Sequence, residues 1–249
     1  MLKLFLASVM LGASLLAGEI SVAVAANLSD VIEVFKTEFA KTNPNTKVNT
    51  VLGASGKFTT QIKSGAPFDL FLSADMKFPE SLYADNIAVS KPVVYASGAL
   101  AMVSTKGLDL SKGMAVVADP KVEKVAIANP KTAPYGTASV EAFKNANVFD
   151  KVEPKLVQGD SIGQALQFAL TAADVGFVNA SAFYSDKMKE YKKGVQWVDV
   201  DPKLYTPIAQ GIVLLKQAEN NAEAKAFYDF VLSPKAKQIF KNYGYLVNE

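Results

Sequence analysis

In the segment ISVAVAANL, residues 20–28, an apolar strand runs directly into a small polar residue, Asn27, at the start of an amphipathic helix. The segment VNTVLGASGK, residues 48–57, repeats this order around Ser55. The first turn of a helix carries backbone N–H groups without intrahelical partners, at the positive end of the helix dipole. Two such helix starts facing one cleft would form a binding site for an anion.

The composition limits which groups can bind an anion. The 249 residues include no His and no Cys, and all 26 basic residues are Lys because the sequence has no Arg. An anion would therefore be bound mainly by neutral dipoles, with Lys57 as a candidate for additional charge. The net charge is only +2 and no Lys cluster has interleaved aromatic residues, which argues against nucleic acid as a partner.

The same absences argue against an enzyme. Ser-His and Cys-His nucleophile pairs cannot form, and soft-metal sites lack their usual ligands. The sequence also lacks a Walker loop and a dinucleotide-binding glycine pattern. Catalytic carboxylate pairs could in principle come from Asp69, Asp75, Asp160 and Asp174. Helix capping and surface solvation explain these residues more simply. We expect no catalytic residues and no cofactor, with an exported carboxylate-based hydrolase as the alternative.

Residues 1–18 have the pattern of a cleavable signal peptide. A basic start, Met1-Leu2-Lys3, precedes an apolar core and the small residues Ala17 and Gly18. The alternative is a membrane anchor, but the apolar stretch is short for a span and a strand follows at once. Without Cys there is no disulfide and no thiol for a lipid anchor, so we expect a soluble periplasmic protein.

Strands and helices alternate along the rest of the chain, which is typical of parallel sheets covered by helices. The predicted strands are 20–25, 47–52, 69–73, 124–128, 155–158, 174–178 and 195–199. The predicted helices are 28–41, 56–65, 76–85, 137–147, 162–172, 220–232 and 235–242. Two β-rich runs, 92–104 and 206–216, interrupt this alternation.

The paired interruptions predict two lobes joined by two crossing strands. Lobe 1 is discontinuous and consists of residues 19–95 and 208–249, and lobe 2 consists of residues 96–207. The predicted class is α/β, with a mostly parallel sheet flanked by helices in each lobe. One continuous doubly wound domain is the alternative.

Predicted lobe 2 contains three positions that, like Asn27 and Ser55, lie at or directly after the end of a predicted strand. They are the loop NPKTAPYGT at residues 129–137, the connection Gly159–Ile162, and Asn179 at the end of a strand. Ligands of open α/β sheets bind beyond the carboxyl ends of the strands, and all five places lie at such ends. Each has a plainer explanation, such as helix capping by Asn27, but together they predict one binding site.

Several stretches resemble the periplasmic molybdate-binding proteins of ABC importers. The most specific is QIKSGAPFDLFLSAD at residues 61–75. The others are AANL at 25–28, GASG at 53–56, GFV at 176–178, AFYDF at 226–230 and IFKNYGY at 239–245. The resemblance covers essentially the whole chain after the predicted signal peptide.

This resemblance implies a type II periplasmic-binding-protein architecture that closes on a tetrahedral oxyanion. The ligand would be molybdate or tungstate, with the metal bound only as its oxyanion, and the partner would be the permease of an ABC transporter at the inner membrane. We expect a monomer. The alternative is a receptor for another small oxyanion, such as sulfate or phosphate.

The resemblance also implies the binding residues. It places Asn27 and Ser55 in the site of the first lobe and Tyr135, Ile162 and Asn179 in that of the second, with Tyr135 and Ile162 contributing backbone N–H groups. Asn27 stands where the family typically has Ser, and Asn179 where it typically has Tyr. Both replacements retain N–H donors, so they bear on selectivity among oxyanions rather than on the mode of binding.

Overall fold

The computed structural model describes residues 18–247 and contains two five-stranded sheets flanked by helices. Apart from Gly18, the predicted signal peptide lies outside the described residues. Within residues 18–247, no helix is both long and apolar enough to cross a membrane.

The first sheet has four strands in one direction and one reversed strand. Its members are β1 (Gly18–Ala25), β2 (Thr46–Gly53), β3 (Leu70–Leu72), β4 (Val93–Gly98) and, from the later part of the chain, β10 (Ile208–Leu214), in the order β2-β1-β3-β10-β4. β1 pairs in parallel with β2 and β3, whereas β10 is antiparallel to both of its neighbours.

The second sheet repeats this plan. Its members are β5 (Leu100–Val103), β6 (Val125–Ala128), β7 (Leu156–Gly159), β8 (Val175–Asn179) and β9 (Trp197–Asp199), in the order β7-β6-β8-β5-β9. Here β5 is the reversed strand. The chain therefore crosses between the sheets twice, from β4 to β5 and from β9 to β10, and each time enters the new sheet on its reversed strand.

The helices cover both sheets. They are α1 (Ser29–Ala40), α2 (Ser55–Lys63), α3 (Lys77–Ala84), α4 (Pro134–Asn145), α5 (Phe149–Val152), α6 (Ile162–Thr171), α7 (Ala222–Val231) and α8 (Pro234–Asn242). The 3-10 turns are Ala26–Leu28, Leu110–Ala118, Glu153–Lys155, Ala180–Tyr184, Asp186–Met188, Pro202–Leu204 and Lys216–Ala218. The prediction missed α5 and these turns.

Apolar periodicity explains how the helices attach to the sheets. On α1, the buried residues Val31, Ile32, Phe35 and Phe39 fall on one face. Phe39 meets the ring of Phe227 from α7 edge to face, with the ring centroids 5.1 Å apart. Full burial of such a side chain stabilises the fold by roughly 1.5–3 kcal/mol.

The predicted α/β class with two mostly parallel sheets in two lobes is confirmed. We call the first sheet with its helices lobe 1 and the second sheet with its helices lobe 2. Sheet membership changes between Gly98 and Leu100 and again between Asp199 and Ile208. The boundaries predicted at residues 95/96 and 207/208 stay a prediction.

Candidate oxyanion-binding site

Four helix starts from the two lobes surround one small cavity. The space between them is about 200 Å³, part of it open to solvent, and its walls are formed by Ala25, Ala26, Asn27, Gly53, Ala54, Ser55, Ala74, Ala133, Pro134, Tyr135 and Ile162. These residues follow strand ends or begin the first 3-10 turn, α2, α4 and α6. All of these lining residues, which belong to the described part of the chain, are uncharged.

The helix starts of lobe 2 bring Tyr135 and Ile162 to the cavity wall. Ile162 is the first residue of α6, and Tyr135 is the second residue of α4 after Pro134. Since proline has no N–H, Tyr135 carries the first backbone donor of α4. Gly136 is required next to it because a Cβ there would collide with the carbonyl of Ala128. The close approach of α4 to β6 therefore sets the position of this donor.

Ser55 lies in the wall of the same cavity and is only 1% exposed. Its Oγ accepts a hydrogen bond of 3.0 Å from the backbone N–H of Ala74, which leaves its own hydroxyl proton for another acceptor. Ser55 is the first residue of α2, and the N-cap position is occupied by Ala54. The hydroxyl is therefore not used to cap the helix.

Asn27 is 4% exposed and lies in the 3-10 turn before α1. It makes no side-chain cap bond, so the capping explanation for this residue is wrong. Its Nδ2 donates to Gln210 Oε1 and to the Tyr245 hydroxyl, each at 2.9 Å. Its Oδ1 is buried without a hydrogen-bond partner.

Asn179 differs from the other four predicted residues because it does not line the cavity. It is 5% exposed, and its Nδ2 donates to Ser181 Oγ at 2.7 Å and approaches the backbone oxygen of Asn27 at 3.5 Å. Asn179 belongs to lobe 2 and Asn27 to lobe 1, so this contact spans the two lobes. Asn179 therefore contacts Asn27 instead of lining the cavity.

A buried network of neutral side chains connects the lobes beneath the cavity. We call it the interlobe network, and it consists of Asn27, Tyr95, Tyr135, Ser181, Gln210 and Tyr245. Burial raises the pKa of Tyr245 to about 12 and raises the pKa values of Tyr95 and Tyr135 well above their ordinary range. Each phenol is therefore uncharged at physiological pH.

The sequence prediction missed three parts of this site. Gln210 could have been recognised from the sequence, because it is a polar residue in the otherwise apolar strand IAQGIVL. Ala74 directly follows β3 and lies at the same sheet edge as the predicted residues. The ring of Tyr245 packs against Phe240, whereas its hydroxyl belongs to the interlobe network.

Charged residues lie at the rim of the cleft rather than in the cavity. Lys57 Nζ pairs with an Asp160 carboxylate oxygen at 2.8 Å, and Lys187 pairs with Asp30 at the same distance. We call these two ion pairs the rim pairs, and both join lobe 1 to lobe 2. The suggestion that Lys57 contributes charge within the site is thus wrong, because its partner is a carboxylate and it does not line the cavity.

A larger neighbouring cavity is less suited to an anion. It comprises about 750 Å³ of space, part of it open to solvent, and its walls include the carboxylates of Asp75 and Glu141 as well as Lys77 and Lys131. Ionised carboxylates repel an anion. The small cavity with its neutral donors is the better candidate.

Two sheets joined by two crossing strands, with helix starts from both lobes around one cavity, define a two-lobed ligand-binding protein. Residues 20–246 match the family model described as bacterial extracellular solute-binding protein. The chain belongs to this family.

Individual relatives agree with this assignment. The chain is 41% identical to the molybdate-binding protein ModA of Rhodobacter capsulatus, over 92% of this chain and 89% of the relative. It is 39% identical to ModA of Azotobacter vinelandii, over 95% of each chain. The solved structure of the periplasmic molybdate-binding protein of Azotobacter vinelandii superposes with a TM-score of 0.84, covering 92% of this chain and 100% of that one at 31% identity.

Proposed function

We propose that this protein is the periplasmic receptor of an ABC importer and captures molybdate, and nearly equally tungstate, between its two lobes. The observation that carries the proposal is the convergence of uncharged helix starts from both lobes on one cavity beside the Ser55 hydroxyl. The two relatives named ModA, which are about two-fifths identical over nearly the whole chain, support the choice of ligand.

Neutral donors are sufficient to bind a dianion. Hydrogen bonds to charged groups contribute roughly 1.5–3 kcal/mol each, so several convergent donors can offset the cost of removing the ion from water. In this proposal the donors are the backbone N–H groups of Tyr135 and Ile162 and the side chains of Asn27 and Ser55. Asn179 acts indirectly, through its contacts with Ser181 and the backbone of Asn27.

A site made only of donors also discriminates between oxyanions. Hydrogen phosphate carries an O–H group, and leaving that proton without an acceptor costs about 1–3 kcal/mol. Sulfate is as fully deprotonated as molybdate, so the protein must reject it by size, because its shorter bonds do not reach all the donors. Molybdate and tungstate are too similar in shape to be separated in this way.

Closure of the lobes follows from the distribution of the donors. Because each lobe supplies only part of the set, the ligand favours the state in which both parts are engaged. The lobes already touch beside the cavity, where the N–H of Gly56 in lobe 1 donates to the carbonyl of Thr132 in lobe 2 at 2.8 Å. We infer that the permease recognises this closed surface.

We further propose that the protein is exported to the periplasm. Residues 1–18 would direct export and be removed, and the absence of Cys leaves no thiol for a lipid anchor. The mature chain would act as a soluble monomer without enzymatic activity. Lobe 1 would consist of residues 19–95 and 208–249, and lobe 2 of residues 96–207.

Ligand-dependent stabilisation tests the choice of anion. Molybdate at about 100 times its dissociation constant should stabilise the protein by roughly 2.7 kcal/mol, whereas phosphate at the same concentration should do almost nothing. Thermal unfolding and isothermal titration with molybdate, tungstate, sulfate and phosphate give the measurement. Equal stabilisation by phosphate and molybdate would contradict an all-donor site, and turnover of a substrate in the cleft would favour a hydrolase.

Substitution of Ser55 tests the location of the site. Ser55→Ala should weaken molybdate binding by about 1–3 kcal/mol, because the hydroxyl donor is lost, and should lower stability modestly because Ala74 loses its acceptor. Ser139→Ala is the matched control, since Ser139 is also fully buried and its Oγ donates only to the carbonyl of Tyr135. Unchanged affinity of Ser55→Ala in calorimetry would remove Ser55 from the site.

A further inference from the structure

Gln210 connects two of the residues assigned to the anion site. It is fully buried in β10, where the pairing with β4 shifts register between Gln210 and Gly211. Its side-chain amide lies between Asn27 of lobe 1 and the hydroxyl of Tyr135 of lobe 2, at 2.9 and 3.1 Å. Gly98 leaves the room for this arrangement, because a Cβ there would collide with both Gln210 Nε2 and the Tyr135 hydroxyl.

The hydrogen bonds of this amide can be arranged in two ways. In the first, Gln210 Oε1 accepts from Asn27 Nδ2 and faces the Tyr95 hydroxyl at 2.9 Å. Tyr95 has one proton for two acceptors, because its oxygen is also 2.8 Å from the carbonyl of Ser73. This arrangement leaves one of those contacts without a proton and leaves Asn27 Oδ1 buried without a donor.

Rotating both carboxamides by half a turn gives the second arrangement over the same heavy-atom positions. Gln210 Nε2 then donates to Asn27 Oδ1 and to the Tyr95 hydroxyl, and Tyr95 donates to Ser73. Tyr135 gives its proton to Gln210 Oε1, and Tyr245 keeps its bond to the backbone oxygen of Asn27. The Asn27 bond from Nδ2 to Tyr245 is given up, and Asn27 Oδ1 then lies 2.9 Å from the Tyr245 oxygen with no proton between them. In exchange, every buried acceptor named here has a donor.

We propose that Gln210 is a positioning residue that turns the Asn27 carboxamide so that its NH₂ group, and not its oxygen, faces the bound anion. The inference rests on the proposed function and deepens it. A hydrogen-bond acceptor at the position of the Asn27 NH₂ group would repel a fully ionised oxyanion. It would accept a hydrogen bond from the O–H of a protonated one. The orientation set by Gln210 therefore determines the selectivity between these two classes of anion.

The amide orientation can be observed directly in the unsubstituted protein. With isotope-labelled protein in the presence of sodium molybdate, the side-chain NH₂ protons of Gln210 should show nuclear Overhauser contacts to the ring of Tyr95. In the opposite orientation those protons contact the ring of Tyr135. Contacts to Tyr135 and none to Tyr95 would overturn the proposal, whatever the effect of any substitution.

The selectivity of a Gln210 variant supplies a second, independent readout. Gln210→Met preserves length and removes both hydrogen-bonding groups. It should weaken molybdate binding about tenfold while the binding of hydrogen phosphate, measured by displacement, is unchanged or stronger. Ser104→Ala is the control for loss of a buried hydrogen bond far from the cavity, since Ser104 bonds to the carbonyl of Asp174. It should leave both affinities unchanged.

The possible failures are distinguishable. If Gln210→Met loses stability but keeps the ratio of the two affinities, Gln210 is only structural and the proposal is wrong. If the unsubstituted protein binds sulfate instead of molybdate or tungstate, the proposed ligand is wrong, and the same contacts and ratio measured with sulfate still decide the role of Gln210. Binding of hydrogen phosphate in preference to every deprotonated oxyanion would overturn both.

Discussion

The contacts that join the two lobes inside the cleft are neutral and buried, whereas those at its rim are charged and exposed. The interlobe network uses amides and hydroxyls, and Gln210 at its centre is 0% exposed. In the rim pair of Lys57 and Asp160, the side chains are 44% and 74% exposed. Exposed ion pairs contribute little and are screened by salt, whereas buried dipoles act at full strength. We therefore expect the buried groups of the cleft to determine the affinity for the anion and the rim pairs only to adjust it.

Placing a charge inside the cleft should give the largest effect on molybdate binding. Asn27→Asp changes one atom, but it sets a carboxylate against the anion, and such like-charge contacts cost several kcal/mol. Isothermal titration should show molybdate binding almost abolished at neutral pH and partly recovered on acidification, because burial and the anion raise the pKa of the new carboxyl.

Asn220→Asp, on the exposed surface, is the control for the change in net charge. It should bind molybdate like the unsubstituted protein. Tight binding by Asn27→Asp at neutral pH would show that the interior does not depend on neutrality.

Holding the lobes apart should give the next largest effect. At Gly56 a Cβ would lie 2.9 Å from the end of the Phe78 ring in the same lobe, a side chain that can move aside. It would also lie 3.0 Å from the Cα and the carbonyl oxygen of Thr132, which are backbone atoms of the other lobe. Gly56→Ala should therefore weaken molybdate binding by about 1–3 kcal/mol through overpacking, while the better helix propensity of Ala maintains the stability of the ligand-free protein.

Gly163 provides a matched control at the same position of another helix. It is the second residue of α6, as Gly56 is of α2, but the nearest atom to a Cβ there is 3.8 Å away. Gly163→Ala should leave the affinity unchanged. Equal losses in the two variants, measured by calorimetry, would mean that the contact of Gly56 with Thr132 does not matter for closure.

Alkaline pH provides a way to charge the interlobe network without mutation. Burial raises the pKa of Tyr245 to about 12, so the folded protein keeps a proton that the unfolded chain loses near pH 10. Stability contributed by this phenol is complete below about pH 10 and is lost as the pH rises towards 12, at about 1.4 kcal/mol per pH unit.

Urea unfolding at a series of alkaline pH values should show this slope, and Tyr245→Phe should reduce it by one proton. Because both proteins share all their Lys residues, the difference between them isolates the tyrosine. Parallel stability curves for the two proteins would contradict the burial of this hydroxyl as a neutral group.

Neutralising the rim should give the smallest effect. Lys57→Met and Lys187→Met should each change the molybdate dissociation constant by an amount corresponding to at most about 1 kcal/mol, and the change should vanish at high salt. Lys36→Met removes an ion pair with Glu33 within α1 and serves as the control. A large effect that persists at high salt would mean that the rim pairs, and not the network, govern closure.

The sequence was sufficient to predict what depends on local patterns. Apolar periodicity and small polar residues after strands predicted the alternation of elements and placed Asn27 and Ser55 at helix starts. Tyr135 was predicted in the loop before a helix at 137–147, whereas α4 begins at Pro134. The family resemblance selected Tyr135 and Ile162, and the structure brings all four residues to one cavity. The paired β-rich interruptions predicted the two crossings.

The features of the site that local patterns do not predict depend on contacts between distant parts of the chain. Asn27 and Tyr245 are 218 positions apart, and nothing local to either residue indicates that their side chains meet. The aromatic residues around Tyr245 are typical of a buried ring, but they do not indicate the partner of its hydroxyl. Similarly, the sequence around Lys57 does not show that Asp160 lies opposite, which is why its charge was misassigned.

The double crossing of the chain also determines the order in which the two sheets can be completed as the polypeptide emerges. All strands of the second sheet lie between Leu100 and Asp199, so this sheet can close before synthesis ends. The first sheet needs β10, which inserts between β3 and β4, so these two strands keep unpaired edges until residue 214 is available. Unpaired edges invite association with other chains. We therefore expect the N-terminal lobe, although made first, to be the last to mature and the one that depends on protection during export.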